Sequence, residues 1–491
     1  MTPKNKFYID GKWVSPSKLD VIEVINPSTE EVIFTVGSGT SADVDDAVVA
    51  AKNAFTKFSK TKSSEKIELL SEIREVYKKR FEDIAQIISL EMGAPINLAR
   101  GAQTKVGLNH LKTAINILEN FNFEYVENNY LIQKIPIGVC GLITPWNWPI
   151  NQILAKLAFS LAAGCTCILK PSEIAPINAI IIAEILDEAG VPNGVFNLIN
   201  GYGHTVGEAL SRHPDIVMMS FTGSVQGGIS VAKSSAESVK RVSQELGGKS
   251  ANIILDDNLF EKSVTKGVLS CMGNTGQSCN APTRMLIPLN RLEESFEIAK
   301  AAASNIIVGD PFDEKTDLGP LANENQFHKV RDFIQSGIND GAKIIAGGLN
   351  RPNGLEKGYF VEPTIFSHVA EDMDIFKEEI FGPILTITHY NNYDHAIEIA
   401  NNSEYGLAAY VSGSDEKKLF ELSKNINAGQ IHINYTSGGT DAPFGGFKKS
   451  GNGREKGKSG LNEFLEIKAI IGCSNSQSIG ITGDETSKDL S

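Results

Sequence analysis

The chain has 491 residues, 41% of them apolar and 21% charged, with a formal net charge of −13. That length exceeds one ordinary domain, and the composition is globular rather than disordered or fibrous. The acidic balance argues against nucleic acid and against an anionic membrane surface as partners.

The N-terminus, MTPKNKFYIDGKWV, has no apolar core of the kind a secretory signal carries. The six cysteines (140, 165, 167, 271, 279 and 473) form no framework. They are read as reduced thiols of a cytoplasmic protein. No CxxC or HxxH pair suggests a metal site.

Residues 42–120 read as amphipathic helices, with Ile67, Leu70, Ile73 and Val76 at helical spacing. The polar alternation NFEYVENNYLIQKIPI that follows reads as a hairpin outside any core, whose edges suit another subunit. From residue 137 short apolar runs alternate with helical segments: IGVCGLI, 151–163, CTCIL, 175–189, VFNLI, 204–211, DIVMMSF and 225–236. Such alternation means βαβ units and a mostly parallel sheet. Ile153–Leu169 is the most apolar stretch, but Lys156 and the Ala-Gly-Cys-Thr-Cys break make it a helix and a strand, not a membrane span. A second run holds ANIIL, a helix over 261–272, RMLIP, AKIIAGG, PILTITHY and QIHIN. The expected boundary between the two α/β domains is ELGGKS, 245–250. Residues 474–491, rich in Ser, Thr, Gly and charge, read as a flexible tail.

Several strand ends carry chemistry. In TPWNWP (144–149) two prolines fix the backbone around Asn147. Its amide is either a donor to a developing oxyanion or the cap of the next helix. In ILKPSE (168–173), Lys170 and Glu173 suit ribose hydroxyls or a phosphate. GYGHTVG (201–207), with Gly203, is a glycine turn after a strand; SFTGSVQGG (220–228) opens a helix at Gly223–Ser224, where a pyrophosphate can sit. Neither is the GxGxxG fingerprint. Glu245, beside Gly247–Gly248, is either a base or an ordinary surface glutamate. Cys279 follows Gly276-Gln277-Ser278 at a loop or helix start, where backbone N–H groups favour a thiolate. The alternative is a buried small hydrophobe. Cys271, on the apolar face VLSCMG, and Cys165 and Cys167, in a buried strand, read as packing.

Taken in order, TPWNWP, KPSE, FTGS, ELGGKS, GQSC, EEIFGP (378–383) and PFGGFKKSGNGRE (443–455) resemble the aldehyde dehydrogenase superfamily, in its hydrolytic branch, up to residue 472. The resemblance implies an α/β chain: a Rossmann-like NAD(P)-binding domain from 1–120 and 137–247, and a second α/β catalytic domain, 248–448. It also implies a small oligomerisation unit of 121–136 and 463–473, with 449–462 returning to the cofactor domain, and a homodimer or homotetramer. It implies that Cys279 attacks a small-molecule aldehyde, and that Asn147 and the nucleophile's N–H hold the oxyanion. Hydride transfer leaves a thioester, which water activated by Glu245 hydrolyses. The implied cofactor is NAD, with NADP as the alternative; Glu173 favours NAD, since a carboxylate repels a 2′-phosphate. Thr144, Trp146 and Gly203 fall in the implied cofactor site, with Lys170 and Glu173 on the adenine ribose and Gly223 and Ser224 at the pyrophosphate. Glu379 takes the nicotinamide ribose and Phe381 lies beside the ring. Lys156 matches a position near the active site. Asn280-Ala281-Pro282 and NYTSGGTDAP depart from the usual pattern, which bears on the substrate and not on the reaction. Two alternatives are an acylating relative that uses coenzyme A, which the retained Glu245 opposes, and a non-catalytic dinucleotide-binding scaffold.

Overall fold

The computed structural model describes residues 5–472. Strands buried on both faces need unbroken apolar runs. Val139–Ile143, Thr166–Lys170 and Met218–Thr222 are such runs, buried at every position. With Phe196–Leu198 and Arg241–Glu245 they form the parallel centre of an eight-stranded sheet. Its order is 451–452, 241–245, 218–222, 139–143, 166–170, 196–198, 7–9, 12–14. Both edges are antiparallel, one made by Gly451–Asn452 and the other by the N-terminal strands.

A seven-stranded sheet follows, in the order 343–346, 364–367, 384–390, 284–288, 251–254, 408–412, 430–433. Only Lys343–Ala346 runs antiparallel to its neighbour. The fold is therefore mixed α/β with largely parallel sheets, as expected. Glu124–Glu127 and Tyr130–Pro136 form the expected hairpin, and Leu465–Ile471 pairs antiparallel with its second strand. On that added strand Ile467 is 69% and Ile471 81% exposed, an apolar edge open to a partner.

The apolar stretch at 153 resolves into the helix Pro149–Ala163, a left-handed Gly164 and the strand Thr166–Lys170. Among the described residues no helix is long and apolar enough to cross a membrane. Cys140, Cys165, Cys167 and Cys271 are fully buried and unpaired, which is the packing role expected of 165, 167 and 271. Cys473 and the tail 474–491 lie outside the described residues.

Several elements were not legible beforehand. Phe7–Ile9 and Lys12–Val14 turn about Asp10-Gly11, at φ 51° and 72°, a D-G signal flanked by strands too short to show alternation. Thr364–Ser367 and Ala408–Ser412, four and five residues long, carry no period of their own. Helix Glu324–Asn339 also went unread, although Asn323 caps it by accepting from Gln326 N–H at 2.9 Å.

The arrangement has one consequence for chemistry. Loops leaving the C-terminal ends of the first sheet's strands (144–149, 223–224) meet loops entering the N-terminal ends of the second sheet's strands (277–283, 378–383). Residues 246–250 link the two sheets at the same place.

Candidate active site

Asn147 is not a helix cap. The helix Pro149–Ala163 is entered from Trp148, with proline in its first turn. The Asn147 side chain, 3% exposed, instead donates from Nδ2 to the Gln277 carbonyl at 2.9 Å. Trp148 Nε1 donates to Ser278 Oγ at 2.8 Å. Two residues preceding the candidate nucleophile are thus stitched to the W-N-W loop.

The nucleophile loop turns by an unusual backbone run. Asn274, Thr275 and Gly276 all have positive φ, at 55°, 56° and 67°. At Gly276 no side chain fits, because a Cβ would lie 2.0 Å from the Gly382 carbonyl oxygen. Cys279 emerges half-buried, lining a cavity of about 180 Å³ with Trp146, Asn147, Gly223, Glu379 and Phe381. A dry cavity of roughly 150 Å³ is enough for a benzene ring, so one ring-sized group fits.

The expected thiolate-favouring surroundings are absent. Cys279 lies in a turn, the loop alternative, and opens no helix. Burial first, then the carboxylates Glu379, Glu245 and Glu455, push its thiol up to about 12, with Lys456 opposing. The resting residue is therefore a thiol. Iodoacetamide inactivation of the cofactor-free protein is expected to accelerate about tenfold per pH unit from pH 7 to 9, without a plateau. A plateau centred near pH 7 would contradict this.

Glu245 ends the strand Arg241–Glu245 and is only 2% exposed, so it is no surface glutamate. Neither carboxylate oxygen has a hydrogen-bond partner among the described residues. Burial, then repulsion from Glu455, holds its pKa well above the usual carboxylate range, while Lys156, Arg454 and Lys456 pull the other way. The two glycines after it allow close approach: a Cβ at Gly247 would sit 2.1 Å from Glu379 Oε2, and one at Gly248 2.5 Å from the Cys279 carbonyl. Gly248 N–H donates to Glu379 Oε1 at 3.0 Å. Lys156 is fully buried and donates to Thr222 Oγ1 at 2.7 Å, Ser220 Oγ at 3.1 Å and the Glu455 carboxylate.

Of the residues expected at a dinucleotide, Trp146, Gly223, Ser224, Glu379 and Phe381 line the Cys279 cavity. Ser224 caps the helix Val225–Ser235, accepting from Gly227 N–H at 3.1 Å. It borders both the Cys279 cavity and a second one lined by Gly203, His204, Gly207 and Gly227. The Gly223 cradle is dictated from inside, since a Cβ there would meet Phe221 Cζ at 2.7 Å. Lys170 is buried and donates to the Pro171 and Gly201 carbonyls, both at 2.8 Å, with Glu173 at 3.5 Å. Its ammonium is largely committed to backbone, and the half-exposed Glu173 lines a separate hollow with Ile174, Tyr202 and Asn323. Trp146 meets Phe381 edge-on, with ring centroids 5.4 Å apart. Thr144 is buried behind this wall, its N–H on the Lys170 carbonyl at 3.1 Å, and does not line the cavity. A helix N-terminus, the Glu379 carboxylate and an aromatic corner on one cavity fit a dinucleotide.

Gln326 and Lys329 were missed. Both line the Cys279 cavity. Gln326 Nε2 donates to the carbonyls of Ile380 (2.9 Å) and Phe381 (2.8 Å), and Lys329 Nζ to that of Glu379 (2.9 Å). These bonds hold Phe381 in a left-handed backbone, φ 62°. Glu455 was visible only inside a motif, with nothing local to mark its role. Among the described residues no group of His, Cys, Asp or Glu could hold a metal ion.

Comparison with known proteins bears on this geometry. The model of the aldehyde dehydrogenase family matches residues 13–470. A 3-succinoylsemialdehyde-pyridine dehydrogenase from a Pseudomonas species is 50% identical over 96% of this chain and 99% of its own length. The crystal structure of a mutant aldehyde dehydrogenase C from Pseudomonas syringae, in complex with NAD+ and octanal, superposes with a TM-score of 0.95 at 49% identity, covering 96% of this chain and 97% of that one. An aldehyde dehydrogenase from Bartonella henselae gives 0.94 at 44% identity, covering 96% and 100%.

Proposed function

This chain belongs to the aldehyde dehydrogenase family, and on that premise we infer what each side chain of the site does. The chain oxidises aldehydes to carboxylic acids with NAD. The observation that carries the assignment is the convergence of Cys279, Asn147, Glu379 and Phe381 on one cavity, beside a buried carboxyl with no partner among the described residues, Glu245.

Cys279 gives up its proton to solvent water, and its sulfur bonds to the aldehyde carbon as the C=O π pair moves onto oxygen. The Asn147 amide has one hydrogen on Gln277; its second, with the Cys279 N–H, faces the oxyanion. Bound NAD supplies the hydride acceptor. Covalent attachment reduces that transfer to a matter of orientation and leaves a thioester on Cys279. Glu245 then takes a proton from water as the water oxygen bonds to the acyl carbon; the sulfur leaves and the acid departs. Glu379 and Ser224 fix the two halves of the dinucleotide, and Glu173 disfavours a 2′-phosphate.

The substrate is an aldehyde with an apolar alkyl or aryl body. Each neighbour of Cys279 is held by an aromatic side chain: Ser278 by Trp148, and the Asn280 carbonyl by the Tyr410 hydroxyl at 3.0 Å. The relatives that act on a pyridine-bearing semialdehyde or bind octanal agree with this. Across unbranched alkanals from ethanal upward, kcat/KM with NAD is expected to rise roughly fourfold per methylene until the pocket is filled. NADP in place of NAD lowers it. Preference for a short charged semialdehyde over octanal would overturn the substrate assignment. The hairpin and the apolar strand Leu465–Ile471 support a homodimer or homotetramer built through that edge.

A further inference from the structure

The oxyanion amide does not hold itself in place. Three carboxamides from distant parts of the chain meet behind it: Gln103, Asn147 and Asn274. Asn274 Nδ2 donates to the Asn147 carbonyl at 3.0 Å and to the Gln277 carbonyl at 3.3 Å. Gln103 Nε2 donates to Asn274 Oδ1 at 2.9 Å and reaches the Asn147 carbonyl at 3.5 Å. Each amide orientation is fixed, because backbone carbonyls only accept. All three side chains are buried.

Gln103 is the outermost member, and its only other contact of this kind among the described residues is Nε2 to Met92 Sδ at 3.6 Å. It lies in a π-helical segment, Ala99–Thr104, between two α-helical pieces. Such segments are rare and re-aim side chains, often at functional sites. This one is pinned by the Tyr77 hydroxyl on the Thr104 carbonyl at 2.7 Å. The other polar atom of Gln103, Oε1, is buried with no partner among the described residues. A glutamine serving only the core would leave a polar atom orphaned for nothing, at a cost of roughly 1–3 kcal/mol. Asn274, in turn, is one of the left-handed residues that start the nucleophile turn.

We propose that Gln103 is a positioning residue for oxyanion stabilisation: through Asn274 it locks the Asn147 loop against the Gln277 carbonyl, and so sets the amide's place beside Cys279. The proposal rests on the oxyanion role of Asn147 inferred above. Gln103 touches neither substrate nor cofactor and acts only through Asn147.

A double-mutant cycle tests this. Gln103→Met, Asn147→Ala and the double variant are compared by the rate constant of the first-turnover NADH burst with octanal, alongside thermal melting and NAD affinity. Gln103→Met is expected to slow the burst roughly tenfold while NAD affinity stays within about twofold. In the Asn147→Ala background the same change is expected to cost less than about twofold, since what it positions is gone. An unchanged burst in folded Gln103→Met overturns the proposal. So does an equal loss in both backgrounds, which marks general structural damage. If Asn147→Ala by itself keeps the full burst, the oxyanion assignment falls, and the proposal with it, by a result distinguishable from the other two. Gln103→Asn, which keeps the amide but is one methylene shorter, is carried through the same cycle should the methionine variant fail to fold.

Discussion

Replacing Cys279 with alanine is expected to remove aldehyde oxidation altogether, a loss on the order of 10⁴-fold or more, while NAD affinity changes less than about twofold. No other described thiol can substitute. Cys271 lies eight positions earlier but is fully buried on its helix and does not line the Cys279 cavity. Cys140, Cys165 and Cys167 are buried within the other sheet or beside it. The Cys279 side chain is small and half-exposed, so the alanine variant keeps its fold, which a melting curve verifies. Turnover is followed by NADH absorbance with octanal. Retained turnover in the folded variant would dismiss the covalent mechanism. Loss of NAD binding together with activity would mean that Cys279 supports the cofactor cavity instead.

Glu245→Gln is expected to separate the two halves of the reaction. Acylation continues, so a burst of NADH appears at close to full amplitude; steady-state turnover then falls by roughly 10²–10⁴, the usual contribution of a general base. Glutamine has the same shape, which suits a side chain 2% exposed. The pH profile supplies a second signature. Burial and Glu455 raise the Glu245 pKa, so in the native protein hydrolysis is expected to gain rate as pH rises and the carboxyl ionises. The glutamine variant has no carboxyl to ionise and loses that acid limb. A first turnover as slow as the later ones would place Glu245 in thiol activation, and persistence of the acid limb would assign it to another group.

Much of this was readable in the chain. Val139–Ile143, Thr166–Lys170 and Met218–Thr222 announce themselves because a strand covered on both faces has no room for polar residues. Asn147, Glu245, Cys279 and Glu379 stand in short stretches whose prolines and glycines record a local backbone need, as the forbidden side chain at Gly276 illustrates. Sequence by itself, through the order of these motifs, determined the family and the reaction class.

What it left undetermined depends on contacts across long separations. Gln103 reaches Asn274 across 171 positions, and Lys156 meets Glu455 across 299. Gln326 and Lys329 ride on a helix whose outward pattern is that of any surface helix. The thiol of Cys279 was expected to be acidified by its own loop. Tertiary structure decided otherwise, because burial and the carboxylates of Glu379, Glu245 and Glu455 all disfavour its negative charge. Local backbone needs leave a mark in neighbouring residues, whereas desolvation and charge are set by whatever the fold brings alongside, and no nearby residue records that.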